Sequence, residues 1–197
     1  MAEPGPFRLL VVCAGNVCRS PAAELLLRPR LAPGGIEVGS AGLVAPQGAP
    51  VHPWTAEALA ALGVDAGGHE ARRLLPDHLQ LADLVLVATR ELRAETVQLW
   101  PPAVTRAWTL LEFVRHAEAA YGQLAAAAPL PDPGAPRLVA LRDTASALRG
   151  TLPRVPPDAD DLPDPITGGR ADHQAVVARI SVACDALVRV VGQDPAR

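Results

Sequence analysis

Residues 7–21, FRLLVVCAGNVCRSP, pass from an apolar run to a helix start across the short link Ala14–Arg19. Leu9 to Val12 is continuously apolar, as expected of a strand buried on both faces of a parallel sheet. Ser20 reads as a helix cap, with Pro21 at the first helical position, where its missing N–H is harmless. The predicted helix continues through Ala22, Ala23, Glu24 and Leu25 to about Arg28. Successive N–H groups at such a strand-to-helix turn can curl into an anion cradle, and the helix dipole adds positive potential. Cys13, at the strand end, would hold its sulfur as a thiolate among those donors. Arg19 can grip two oxygens of a phosphate through its planar fork. Gly15 and Asn16 suit the unusual backbone angles of a tight loop, and Ser20 is placed to hydrogen-bond the sulfur.

Further along, strands and helices alternate, the pattern of an α/β fold with a parallel sheet. Ile36–Ser40 is a predicted second strand, Pro53–Leu62 a helix closed by Gly63, and Asp83–Ala88 (DLVLVA) a third strand. Thr89 is placed to cap the next helix, and Val104–Thr109 is the predicted fourth strand. The rhythm then changes. Leu110, Val114, Ala117, Tyr121 and Leu124 recur at helical spacing, as do Leu138, Leu141, Ala145 and Leu148 after the breakers of 129–136. Residues 150–165, rich in proline and aspartate, read as a loop, and Val177, Ile180, Cys184, Leu187 and Val191 mark a closing helix. One domain over 1–197 is expected, with 116–157 a helical insertion that extends the fold, shapes partner specificity or caps the sheet edge. No internal repeat is visible.

Composition narrows the function. All eighteen basic residues are arginine and the formal charge is −3, so no global basic field exists to grip a nucleic acid. No apolar run approaches the roughly 18 residues of a membrane span, and the first residues lack the basic start of a signal peptide. A cytoplasmic, membrane-free protein is expected. Its three cysteines are Cys13, Cys18 and Cys184. In a reducing compartment that odd count favours catalysis or inertness over a disulfide framework.

The string Cys13-Ala-Gly-Asn-Val-Cys-Arg-Ser-Pro21 resembles the phosphate-binding loop of bacterial low-molecular-weight protein tyrosine phosphatases. Ser40-Ala-Gly42, His69-Glu-Ala-Arg72 and Asp83 add to the likeness, which covers roughly residues 7 to 112 and 160 to 192. The resemblance implies a three-layer α/β fold, with a four-stranded parallel sheet flanked by helices. It implies Cys13 as nucleophile, Arg19 as phosphate clamp, and Ala14, Gly15, Asn16, Val17, Cys18 and Ser20 around the phosphate. Ser40 and His69 would hold Asn16 in a strained shape, with no metal and no cofactor required. Cys18 is either a redox guard of the nucleophile or a small apolar filler, and Cys184 reads as inert.

Transfer of a phosphoryl group to sulfur leaves an oxyanion that needs a proton. The family carries the acid in an Asp-Pro pair on a late loop, and this sequence has three: Asp132-Pro133, Asp164-Pro165 and Asp194-Pro195. Asp194 follows the closing helix and Asp132 falls inside the insertion, so Asp164, just before that helix, is the choice. Ile166, Leu43 and Val44 stand where many members place aromatic walls. The expected activity is hydrolysis of protein phosphotyrosine through phosphocysteine, with a bacterial tyrosine kinase as a family-level partner. Arsenate reduction fits poorly because no cysteine lies between 18 and 184. Phosphoarginine hydrolysis is associated with threonine at the place of Val17, which lacks a hydroxyl. A non-catalytic phosphate-binding module would leave the Cys13, Arg19 and Asp164 set unexplained. The sequence leaves the oligomeric state open.

Overall fold

The computed structural model describes residues 5–192. Four parallel strands, β1 (Phe7–Cys13), β2 (Ile36–Gly42), β3 (Leu84–Val87) and β4 (Ala107–Thr109), lie in the order β2-β1-β3-β4. The apolar run of β1 therefore sits between two neighbours, with Val11 opposite both Ser40 and Leu86. Alternate side chains feed two cores. Leu9, Val11 and Cys13 face a large one, and Leu10 and Val12 a smaller one. Helices α1 (Arg19–Leu31), α2 (Pro53–Ala60), α5 (Leu110–Ala127), α6 (Ala135–Ala147) and α7 (Arg170–Val191) supply the large core. On the other face lie α3 (Pro76–Leu81), the 3-10 turn Pro101–Thr105 and part of α4 (Arg90–Leu99).

Several boundaries differ from the sequence reading. Helix α1 opens at Arg19, with Cys18 at its cap position, so Ser20 lies inside the helix and caps nothing. Its hydroxyl is turned instead toward the Cys13 sulfur. The helix also runs past Arg28, because Leu27 and Leu31 are fully buried and draw the last turn into the core. Strand β2 extends to Gly42, which still pairs with Cys13. Strand β4 begins only at Ala107, since Pro101 and Pro102 open a 3-10 turn before it. Helix α3 has six residues with Leu79 alone buried, too short a pattern to register as a period. Thr89 does cap α4, accepting from Leu92 N at 3.2 Å.

The open edge of β2 is guarded. Arg28 Nε donates to Val38 O at 3.2 Å, and Arg72 Nε to Ser40 O at 2.7 Å, so outward carbonyls that could template another strand are occupied. Among the described residues no helix is long and apolar enough to cross a membrane.

The 116–157 segment is tied to the core. Thr109 and Glu112 form a capping box that starts α5, and Leu138, Leu141 and Ala145 of α6 are fully buried in the large core. Arg142 of α6 lies over the Phe7 ring, 5.7 Å from its centroid, and bonds the Asp83 carbonyl. Both residues mark the N-terminal ends of strands, opposite the end that carries Cys13. These contacts place α6 over the starts of the two inner strands, β1 and β3. Leu141→Ala is expected to cost about 2–5 kcal/mol in a single cooperative urea transition, as for a buried leucine. A loss below about 1 kcal/mol, or a separate transition, would detach α6 from the core.

Candidate active site

The loop between β1 and α1 owes its shape to what holds its carbonyls. Cys13 O accepts from Leu43 N at 3.1 Å and Ala14 O from Val44 N at 2.9 Å. Asn16 O accepts from His69 Nε2 at 2.9 Å, Val17 O from His52 N at 2.8 Å, and Cys18 O from Ala22 N at 3.2 Å. With these carbonyls bonded to the surrounding shell, the amides turn toward the inside of the loop. Those of 17–19 precede or open α1, where no helical carbonyl stands behind them. The result is a ring of N–H donors at a helix N-terminus, with Cys13 at its base.

Asn16 makes the reversal possible. Its φ of 53° lies in the left-handed region, which asparagine tolerates better than most residues. The residue is fully buried and each of its polar atoms is engaged. Its N–H points at Cys13 Sγ at 3.2 Å, while Nδ2 donates to Ser20 Oγ at 2.9 Å and Ser40 Oγ at 2.7 Å. Oδ1 accepts from Arg72 N at 2.9 Å. Ser20 Oγ is in turn 3.0 Å from Cys13 Sγ, so with the sulfur ionised the hydroxyl donates to it. Ser40 and His69 thus both meet Asn16, one at its side chain and the other at its carbonyl.

Behind this layer sits Glu24, a carboxylate buried on α1. Ser40 Oγ donates to it, Arg28 pairs with it one helical turn on, and His69 Nδ1 faces it at 3.7 Å. A buried carboxylate is tolerated when so surrounded. Sequence reading passed over Glu24 and left Arg72 without a role. The legible signal was an acidic side chain on the apolar face of α1, among Ala22, Ala23 and Leu27.

Arg19 is 4% exposed at the mouth of the loop. Its Nη1 donates to Leu162 O at 3.2 Å and its Nη2 to Asp164 Oδ2 at 2.5 Å. Nε has no partner among the described residues, the kind of buried donor that a bound oxyanion satisfies. Asp164 is more open and is oriented by Ile166 N, which donates to Oδ1 at 3.2 Å. Asp132 lies exposed in the α5–α6 link, on the side of Val191. Asp194 and Pro195 lie outside the described residues. Cys13, Ala14, Gly15, Val17, Cys18, Arg19, Val44, Asp164 and Ile166 enclose a cavity of about 200 Å³. That is smaller than the roughly 300 Å³ at the low end of ligand pockets. Val44 and Ile166 line it beside Asp164.

Burial pushes the Cys18 thiol up to about 11, against the opposing pull of the Thr55 hydroxyl. Cys184 is pushed by burial to about 12 and is inert filler. Thr55 also bonds His173 Nδ1 at 2.7 Å, and His173 stacks on His52 with centroids 4.3 Å apart. Burial, and then the neighbouring His52, lower the pKa of His173. Sequence reading assigned neither histidine.

Gly42 lies against the loop backbone. A β-carbon there would stand 2.6 Å from Ala14 O and 2.7 Å from Asn16 N. Gly42→Ala is expected to weaken inorganic phosphate inhibition by at least about tenfold, since a 1 Å displacement of positioned groups costs about that or more. Unchanged inhibition would show that the loop does not need the close approach.

The model for the family described as low molecular weight phosphotyrosine protein phosphatase matches residues 8–133. A protein-arginine-phosphatase of Geobacillus stearothermophilus is 37% identical over 109 residues, 55% of this chain and 72% of the relative. A probable low molecular weight protein-tyrosine-phosphatase, EpsP, of Ralstonia nicotianae is 42% identical over 97 residues, 49% of this chain and 65% of the relative. Among solved structures, the YwlE arginine phosphatase from Geobacillus stearothermophilus superposes with a TM-score of 0.67 at 25% identity, covering 93% of this chain and 92% of that one. A low molecular weight protein tyrosine phosphatase from T. tengcongensis gives 0.66 at 26% identity, covering 93% and 98%. Asp164 lies beyond the matched span, so its place in the site rests on the contact with Arg19. The match over most of the chain, on a fold and a loop that agree with it, makes this protein a member of the low molecular weight phosphotyrosine protein phosphatase family.

Proposed function

We propose that the protein hydrolyses phosphotyrosine in proteins, with Cys13 as nucleophile, Arg19 as phosphate clamp and Asp164 as general acid and base. One observation carries the reading. A sulfur bonded by Asn16 N and Ser20 Oγ shares a small cavity with a guanidinium that touches a carboxyl group at 2.5 Å. In the first step the Cys13 thiolate attacks phosphorus, the bond to the tyrosine oxygen breaks, and the Asp164 carboxyl gives that oxygen its proton. The loop amides and Arg19 hold the equatorial oxygens while charge redistributes. In the second step a water attacks the phosphocysteine and gives its proton to the Asp164 carboxylate. The S–P bond breaks, freeing inorganic phosphate and a thiolate that Ser20 stabilises.

The substrate is a phosphotyrosine protein, and a bacterial tyrosine kinase is a fitting partner by family. A reducing cytoplasm suits an enzyme that works through an ionised thiol. Phosphoarginine is the second reading, favoured by the name of the arginine phosphatase relative. Against it, Val17 lines the cavity with an apolar side chain and offers no hydroxyl. With phosphotyrosine and phosphoarginine peptides assayed side by side, the protein is expected to favour the first. The opposite order would transfer the assignment to the second.

Cys13→Ser is expected to abolish turnover while phosphate binding persists, and measurable steady-state hydrolysis by that variant would end the mechanism. Asp164→Ala is expected to lower kcat/KM for phenyl phosphate by roughly 10²- to 10⁴-fold. Asp132→Ala is expected to change nothing, and a large loss there with Asp164→Ala unaffected would reverse the choice of acid.

A further inference from the structure

The segment that delivers Asp164 is held almost residue by residue. Arg179 of α7 is half-buried. It donates through Nη2 to Asp158 O at 3.0 Å and Ala159 O at 2.9 Å, and through Nη1 to Asp161 O at 3.0 Å. Arg115 of α5 clasps Asp160 through Nη2, with contacts of 3.3 and 3.0 Å to the two carboxylate oxygens. Arg90, the first residue of α4, holds Asp161 by its backbone N at 2.8 Å, by Nε at 3.4 Å and by Nη2 at 3.1 Å. The Asp161 carboxylate therefore also sits at the N-terminus of α4, where the helix dipole favours an anion. Leu162 N then donates to Ala88 O at 2.9 Å, at the end of β3, and the Leu162 side chain is buried in the large core. Its carbonyl meets Arg19. Only Pro163, whose ring fixes its own φ, separates this anchored stretch from Asp164.

Three helices that supply no group to the phosphate thus converge, through one arginine each, on the arm before the acid. The side chains of Asp160 and Asp161 are engaged in that clamp, and neither lines the Cys13 cavity. A general acid acts only when held within hydrogen-bond reach of the leaving oxygen, and about 1 Å of misplacement costs roughly 10²-fold. A loop with solvated aspartates would leave that position to chance. A guanidinium is suited to the task, because its fixed fork can satisfy several carbonyls that turn away from regular structure.

We propose that Arg179, with the Arg90–Asp161 and Arg115–Asp160 pairs, is a positioning device that sets where Asp164 stands over the Cys13 cavity. The inference rests on Asp164 being the acid of the proposed reaction. The position of an acid is read from leaving-group dependence, which general loss of stability does not produce. Phenol, with a pKa near that of tyrosine at about 10, needs its proton on departure, whereas 2,4-dinitrophenolate does not.

The test measures kcat/KM of the full chain toward phenyl phosphate and 2,4-dinitrophenyl phosphate, with inorganic phosphate inhibition as the measure of the loop. Arg179→Met is expected to lower the phenyl phosphate value by about 10- to 100-fold. The dinitrophenyl value and the phosphate inhibition should each change by less than about threefold. Asp161→Asn, which keeps the side-chain shape and removes the ionic clasp of Arg90, is expected to show the same selective loss at smaller amplitude. It serves as the test if Arg179→Met does not fold. Equal losses on both substrates, or no loss on either, would overturn the proposal. Asp164→Ala, run alongside, separates the two levels. If it shows selective loss while the clamp variants do not, the positioning role fails and the acid stands. If it shows none, the acid assignment fails, and the clamp has no acid to place.

Discussion

A left-handed turn at one buried asparagine is the constraint on which the rest of the molecule is organised. A φ of 53° at Asn16 reverses the chain between strand and helix, and that reversal sends carbonyls outward and amides inward. Such a residue pays a conformational penalty of order 1 kcal/mol or more, so its surroundings must over-determine it. Ser20, Ser40, Arg72 and His69 do so, each from a different segment of the chain. The carboxylate of Glu24 anchors two of them from behind. The cradle is thus preorganised in the sense that matters for catalysis: its donors are aimed before substrate arrives.

The charges inside the molecule obey the same logic. A lone ion in a low-dielectric interior costs several kcal/mol, and a paired one is stable only while its partner remains. Glu24 is enclosed by Arg28, Ser40 and His69, and the acidic loop by Arg90, Arg115 and Arg179. Arg19 is the exception that chemistry requires. It is buried, but the side chain of its carboxylate partner Asp164 is 42% exposed, so that contact can yield to a phosphate dianion. With every lysine absent, the basic partner in these pairs, His69 aside, is a planar fork, which can satisfy a carboxylate and a carbonyl in one geometry.

The catalytic end and the opposite end of the sheet are specialised differently. Cys13 ends β1 at the helix N-terminus, whereas Phe7 and Asp83, at the strand beginnings, are covered by Arg142 of α6. Helix α6 thus buries its apolar side chains at the end of the sheet away from Cys13. At the mouth, Val44 and Ile166 present aliphatic side chains to the cavity.

Much of this was legible in the residues alone. The unbroken apolarity of 9–12, the Pro21 helix start, and the Cys13, Asn16, Arg19 and Ser20 spacing are local signals, because strand burial, helix initiation and loop curvature act over a few residues. They were enough for the parallel α/β class and for a tight strand-to-helix loop that brings Cys13, Asn16 and Ser20 together. Boundaries went astray where side chains had a distant use: Ser20 looked like a cap, but its hydroxyl belongs to the Cys13 sulfur. Long-range pairing was out of reach. Asp132 and Asp164 carry the same Asp-Pro signal, and only folding brings one of them 2.5 Å from a guanidinium 145 positions earlier. Asp160 and Asp161 read only as part of an aspartate-rich loop, and their partners on α4, α5 and α7 come into view with the fold. Composition and spacing state which chemistry a chain can perform. Which carboxyl group performs it depends on contacts between segments, and these exist only once the core has fixed the helices in place.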